Sequence, residues 1–92
     1  MKKQDISENP VKSAYLAIGS NLGNKISNIE ITKSELQKYK IKILKSSSNY
    51  ISDSWPDTTM PSYINVVIKI KTSLEPLELL KICNLIEVFF HP

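Results

Sequence analysis

The clearest hydrophobic pattern lies at residues 63–72, where apolar and polar side chains alternate at every second position. This period of two predicts a β-strand with two different faces. One face is aliphatic and consists of Ile64, Val66, Ile68 and Ile70. The other face is mixed and consists of Tyr63, Asn65, Val67, Lys69 and Lys71. Shorter apolar runs predict a buried strand at 14–18 and another strand from 41 to about 51.

Two other segments repeat apolar residues at a helical period and predict α-helices. The first covers 25–40 and follows Asn24, a residue type that caps helix N-termini. Its apolar positions are Ile26, Ile29 and Leu36. The second begins at Pro76, which suits the first position of a helix. Its apolar positions lie nearly all round the helix and are Leu77, Leu79, Leu80, Ile82, Cys83, Leu85, Ile86, Phe89 and Phe90.

The order of these elements is β-α-β-β-α, which predicts an α+β fold of ferredoxin-like layout that lacks its last strand. A missing strand leaves backbone groups of its neighbour unpaired and bares apolar surface on the second helix. We therefore expect self-association through Leu85, Phe89 and Phe90. Residues 1–12 are polar and predict a flexible N-terminal arm, and residues 13–92 predict a single domain.

Length and composition are typical of a small globular protein. The chain has 92 residues, of which 41% are hydrophobic and 23% are charged, so it does not resemble a disordered chain. No apolar run approaches the roughly 18–20 residues of a membrane span. Lys2 and Lys3 are not followed by the apolar stretch of a signal peptide. We therefore expect a cytoplasmic protein without a membrane partner.

Charge and cysteine content narrow the chemistry only slightly. Twelve lysines, no arginine and nine acidic residues give a net charge of +3. A solvated lysine-rich surface is the ordinary interpretation, and attraction of phosphate groups is the alternative. The single Cys83 excludes an internal disulfide, and its apolar helical neighbours indicate a buried thiol rather than a nucleophile. With one histidine, the sequence predicts no metal-ligand cluster.

A glycine-rich segment, Gly19-Ser20-Asn21-Leu22-Gly23, follows the first predicted strand. A nucleotide-binding P-loop needs four residues between its glycines and a Lys-Ser/Thr pair after the second. Only three residues separate these glycines, and Asn24-Lys25 follows them. The segment is therefore interpreted as a tight turn from a strand to a helix.

Tyr63 and Asn65 share one face at the start of their strand, next to the proline-containing loop at 52–62. An aromatic ring beside an amide can hold a flat heterocycle, since the ring stacks and the amide bonds to its edge. Edge packing and a turn hydrogen bond are the simpler interpretation. Trp55 in the loop either packs on the core or covers a ligand. For Glu87, the simpler interpretation is a solvated or helix-stabilising residue on the second helix.

The order and spacing of these motifs resemble one enzyme family, the 6-hydroxymethyl-7,8-dihydropterin pyrophosphokinases. The resemblance covers about residues 13–90. Its motifs are the strand at 14–18 with Gly19-Ser20-Asn21-Leu22-Gly23, then Ser47-Ser48-Asn49-Tyr50, Tyr63-Ile64-Asn65-Val66-Val67, Thr72-Ser73-Leu74-Glu75-Pro76-Leu77-Glu78-Leu79-Leu80 and Ile86-Glu87.

The resemblance implies a folate-pathway transferase that moves pyrophosphate from ATP to the hydroxymethyl group of a reduced pterin and releases AMP. It implies Mg²⁺ held by an Asp-x-Asp pair. It further implies a pterin pocket lined by Ser52, Trp55, Tyr63 and Asn65. On the same basis, Asn84 and Glu87 face ATP.

The sequence departs from this family at the metal site. Its aspartates are Asp5, Asp53 and Asp57, so no Asp-x-Asp pair occurs, and no arginine is present to clamp a triphosphate. Mg²⁺ on phosphates normally needs one or two carboxylates. We therefore expect a C-terminally truncated form that retains no catalytic residue and no metal ligand, and that shows no appreciable catalysis.

Two other functions stay open at this point. A non-catalytic remnant that binds pterin or nucleotide would keep the pocket without the reaction. A small RNA-binding α+β module would use aromatic residues alternating on a central strand. Residues 64–70 contain no aromatic residue, so we expect no nucleic-acid partner.

Overall fold

A computed structural model of the chain describes residues 10–86 and 89–91. Its elements are β1 (Lys12–Ser20), α1 (Lys25–Gln37), β2 (Ile41–Ser46), β3 (Tyr50–Ser52), β4 (Tyr63–Thr72), α2 (Pro76–Leu85) and β5 (Phe89–His91). The strands form one antiparallel sheet in the order β2-β4-β1-β5, and β3 pairs with β4 beyond the end of β2. The predicted α+β class with a ferredoxin-like arrangement is confirmed.

The core lies between the two helices and one face of the sheet. Leu16 of β1 faces Ile68 of β4 in register, and Ile18 faces Val66. The buried apolar residues form one cluster of Ala14, Leu16, Ile18, Ile29, Leu36, Ile41, Val66, Ile68, Ile70, Leu79 and Cys83. Because α1 and α2 both contribute to this cluster, they cover the same face of the sheet. The alternation predicted for 63–72 therefore separates a helix-covered face from an outer face.

The end of the chain corrects one prediction. The second helix does not continue to Phe90, because α2 ends at Leu85 and β5 follows at Phe89–His91. Phe89, Phe90 and His91 pair antiparallel with Ala17, Leu16 and Tyr15 of β1. Pairing along this side of β1 satisfies backbone groups that would otherwise lack partners, and it outweighs the helical pattern of apolar residues. The last strand of the layout, predicted to be missing, is thus present as a three-residue strand.

The strand predicted from 41 to about 51 is also divided. The register of β2 against β4 shifts between Ile43 and Lys45, which marks a bulge. Beyond it the Ser47 backbone N–H donates to the Val67 carbonyl oxygen at 2.8 Å, and the Val67 N–H donates to Ser47 Oγ at 2.9 Å. A side-chain hydroxyl thus replaces a backbone acceptor, and regular pairing resumes only in β3.

The turn before α1 and the starts of both helices follow the sequence prediction. Asn24 caps α1, since its Oδ1 accepts from the Ser27 N–H at 3.1 Å. Gly23 adopts a left-handed conformation with φ of 63°, which glycine accepts without steric cost. At α2 the Glu75 N–H donates to Glu78 Oε1 at 3.4 Å, beside the predicted Pro76. The left-handed Gly23 and the Asn24 cap make the glycine-rich segment a tight connection, as predicted.

Two further predictions concern burial and membranes. Cys83 is fully buried, and desolvation raises the pKa of its thiol, which fits an inert core residue. Within residues 10–86 and 89–91, neither helix is long and apolar enough to cross a membrane.

Candidate functional site

The pairing of β3 with β4 brings Ser52, Tyr63 and Asn65 together at one end of the sheet. Ser52 faces Tyr63 in register, and Tyr50 faces Asn65. The Asn65 Nδ2 group donates to Ser52 Oγ at 2.7 Å and makes a longer contact of 3.4 Å with the Tyr50 carbonyl oxygen. Both contacts use the amide nitrogen, so they fix the orientation of the amide and leave Oδ1 on the side of Gly19.

Trp55 and Tyr63 line a cavity of about 280 Å³ at the same end of the molecule. The other lining residues are Asn21, Ser54, Pro56, Asp57 and Met60. Its volume lies just below the range for small-molecule sites, so it suits only a small ligand. The Trp55 side chain is 86% exposed, so it does not pack on the core. This exposure excludes packing on the core, the first of the two interpretations of Trp55.

The loop that carries Trp55 is held by its own hydrogen bonds. Ser54 is buried, and its Oγ donates to the Pro61 carbonyl oxygen at 2.6 Å. Asp57 accepts from the Thr59 hydroxyl and from the Thr59 N–H. The hydroxyl, and after it the N–H, lower the pKa of the Asp57 carboxyl below its ordinary value because they stabilise its charged form. The loop is therefore shaped without a ligand.

A lysine ties the end of this loop to the first helix. Lys25 Nζ donates to the Ser62 carbonyl oxygen at 2.7 Å. Lys25 is the first residue of α1 and directly follows the cap Asn24. The first residue of α1 and the end of the Trp55 loop are thus held together, next to Tyr63.

Of the two residues implied to face ATP, the structure describes only Asn84. Asn84 is exposed on α2 and does not line the Trp55 cavity. Ile86, two residues later, lines a second cavity of about 290 Å³ together with Ile18, Gly19, Ser20, Asn28, Ile31 and Thr32. Glu87 lies outside the described residues.

The described residues form no cluster of metal-ligating side chains. Within 10–86 and 89–91, no three His, Cys, Asp or Glu side chains lie close enough together to hold a metal. Mg²⁺ at phosphate groups normally needs a carboxylate ligand as well as the substrate.

Of the predicted pterin residues, Trp55 and Tyr63 line one cavity, whereas Ser52 and Asn65 are not among its lining residues. Three residues that were not predicted lie next to these four. Asn21 and Met60 line the Trp55 cavity, and Gly19 lies opposite Asn65 in register. A signal for Asn21 and Gly19 was present, because both belong to the glycine-rich segment that the resemblance had singled out. Met60 carries no comparable signal, since its place depends on how the loop turns.

Comparison with known proteins shows the family of the chain. The chain matches the family model of 7,8-dihydro-6-hydroxymethylpterin-pyrophosphokinase over residues 15–91. It is 40% identical over 68 residues to the 2-amino-4-hydroxy-6-hydroxymethyldihydropteridine pyrophosphokinase of Aquifex aeolicus, covering 74% of this chain and 42% of that protein. The Bacillus subtilis protein of the same name is 33% identical over 75 residues, covering 80% of this chain and 45% of the relative.

A fungal relative extends the comparison to a much longer protein. The folic acid synthesis protein fol1 of Schizosaccharomyces pombe is 39% identical over 77 residues, which cover 83% of this chain and 10% of that protein. The chain thus spans half or less of the length of each of these relatives. The chain belongs to the 7,8-dihydro-6-hydroxymethylpterin-pyrophosphokinase family, a family of ATP-dependent transferases of folate biosynthesis.

Proposed function

We propose that this chain binds 6-hydroxymethyl-7,8-dihydropterin through Ser52, Trp55, Tyr63 and Asn65, as the pterin-binding part of a pyrophosphokinase. The observation that carries the proposal is the fixed Asn65 amide, held by Ser52 at 2.7 Å beside the Tyr63 ring that lines the Trp55 cavity. An oriented amide beside an aromatic ring, next to a cavity that a second aromatic ring lines, suits a flat heterocycle with polar edges.

Each residue has a separate part in this proposal. Tyr63 and Trp55 supply aromatic faces, whose stacking on a pterin contributes binding energy and sets the plane of the ring. Asn65 reads the edge of the ring through Oδ1, because its amide nitrogen is engaged by Ser52 and Tyr50. Ser52 acts on the ligand through the orientation that it gives Asn65.

The family reaction is proposed for the whole protein: transfer of pyrophosphate from ATP to the pterin hydroxymethyl group, with Mg²⁺ neutralising phosphate charge. Asn84 and Glu87 are proposed to face ATP. Because the 92 residues contain no Asp-x-Asp pair, we propose that they bind the pterin without appreciable turnover. A cytoplasmic location and the division into an arm at 1–12 and a domain at 13–92 stay part of this proposal, except that Lys12 belongs to the domain because it is the first residue of β1.

Titration with 6-hydroxymethylpterin, followed by tryptophan fluorescence, tests the binding. Trp55 is the only tryptophan, so any specific change reports on this site. We expect saturable quenching, because a stacked pterin deactivates the excited indole. A matched titration of free N-acetyltryptophanamide corrects for light absorbed by the pterin. Quenching no greater than in this control would contradict the proposal.

We also propose that the chain self-associates through the end of α2. Leu85 is 69% exposed, and Leu77 and Leu80 are exposed on the same helix. Phe89 and Phe90 complete the predicted surface, and only their backbone is described. Sedimentation velocity over a hundredfold concentration range should show a concentration-dependent increase in mass. Leu85→Lys should shift the equilibrium towards the monomer. The control Leu22→Lys, at an exposed site in the glycine-rich segment, should leave the equilibrium unchanged. Equal behaviour of the two variants would overturn the proposal.

A further inference from the structure

We propose that Gly19 is a positioning residue, whose missing side chain allows Asn65 and Tyr63 to take the arrangement found at the candidate pterin site. The expected effect of Gly19 on pterin affinity rests on the proposed function. Its structural part rests on the packing of β1 against β4 and concerns no contact between Gly19 and a ligand.

The space around Gly19 is occupied by the two side chains of the site. Gly19 lies opposite Asn65 in the antiparallel register. A Cβ atom added to Gly19 would lie 2.9 Å from Asn65 Oδ1 and 3.3 Å from Tyr63 Cδ2. The first distance is shorter than packed side chains tolerate, and the second requires the Tyr63 ring to move by a few tenths of an ångström.

The Asn65 amide cannot turn away from Gly19 without disturbing its contact with Ser52. Its nitrogen is held by Ser52 Oγ at 2.7 Å and lies 3.4 Å from the Tyr50 carbonyl oxygen. Asparagine is short, so a rotation that moves Oδ1 away from Gly19 also moves Nδ2 away from Ser52. A methyl group at Gly19 therefore breaks the contact that orients the amide.

The backbone gives no other reason for a glycine at this position. Of the two glycines, only Gly23 has a positive φ, so the conformation of Gly19 is open to any L-residue. Gly23 shows the opposite combination. Its φ is strained for other residues, but an added Cβ meets only Asn28 Nδ2, at 3.8 Å. Gly19 is thus required because neighbouring side chains fill the space of a Cβ atom, and Gly23 is required because of its positive φ.

This contrast supplies a matched pair of variants, Gly19→Ala and Gly23→Ala, each made in the full chain. The first readout is the side-chain amide signal of Asn65 in a ¹⁵N–¹H NMR spectrum without ligand. We expect Gly19→Ala to shift this signal and to speed its hydrogen exchange. Gly23→Ala should lower the melting temperature and leave the Asn65 signal in place. An Asn65 signal unchanged by Gly19→Ala overturns the proposal.

The second readout is the affinity for 6-hydroxymethylpterin. Gly19→Ala should weaken binding at least tenfold, and Gly23→Ala less than twofold. Equal losses in the two variants would mean that Gly19 acts through stability alone, which overturns the proposal. If the unmodified chain binds no pterin, the proposed function fails, while the NMR readout still decides whether Gly19 positions Asn65.

A double variant covers the case in which Gly19→Ala does not fold. Asn65→Ala removes the atom that the new methyl group would meet. We therefore expect Gly19→Ala combined with Asn65→Ala to fold and to melt within about two degrees of Asn65→Ala alone. A double variant that also fails to fold would place the difficulty elsewhere in the strand and would overturn the proposal.

Discussion

Replacing Leu16 by alanine is expected to remove most of the free energy of unfolding of the chain at 25 °C. Leu16 is 0% exposed in β1, which lies between β4 and β5, and it faces Ile68 across the sheet. Such a substitution loses the transfer free energy of the side chain and leaves a cavity, at a cost of about 3–5 kcal/mol. Domains of this size have a free energy of unfolding of only roughly 5 kcal/mol. Urea denaturation followed by circular dichroism measures the loss.

Leu77→Ala provides the matched control for this prediction. Leu77 is 63% exposed on α2, and alanine is a better helix former than leucine. We expect its free energy of unfolding to change by less than about 0.5 kcal/mol. Similar losses in Leu16→Ala and Leu77→Ala would show that the core does not lie between the sheet and the helices.

Replacing Asn65 by alanine is expected to weaken binding of 6-hydroxymethylpterin by about tenfold to a hundredfold. The substitution removes the amide that Ser52 orients, and a lost hydrogen bond that leaves its partner unsatisfied costs about 1–3 kcal/mol. By the usual relation between affinity and free energy, this cost corresponds to such a change in Kd. Titration of Trp55 fluorescence measures it.

Asn49→Ala is the corresponding control for the amide. Asn49 is exposed just before β3, outside the β3–β4 pairing that places Asn65 beside Ser52. We expect its affinity for the pterin to stay within twofold of the unmodified chain. Unchanged affinity in Asn65→Ala would remove Asn65 from the site, whatever the behaviour of Asn49→Ala.

The parts of the fold that depend on local rules could be predicted from the sequence. The alternation at 63–72 fixed which side chains face the core, and Asn24 and Pro76 marked where the helices begin. The location of Tyr63 and Asn65 on the same face of β4 also follows from the period of a strand. These features need only neighbouring residues, so no knowledge of the tertiary structure was required.

The remaining features depend on contacts between distant segments. Phe89 and Phe90 continue a helical pattern in sequence, and only the available side of β1 makes them a strand. The break after β2 depends on the Ser47 hydroxyl meeting the Val67 N–H. The place of Met60 in the cavity depends on the path of the loop, which no periodic pattern encodes.

The most direct test of the pterin site is a ¹⁵N–¹H NMR titration of the full chain with 6-hydroxymethylpterin. We predict saturable shifts at Ser52, Trp55, Tyr63 and Asn65, and no comparable shifts at the exposed Lys42 and Lys71 on the far part of the outer sheet face. No saturable shifts, or shifts centred on those lysines, would contradict the assignment of this end of the sheet as the pterin-binding site.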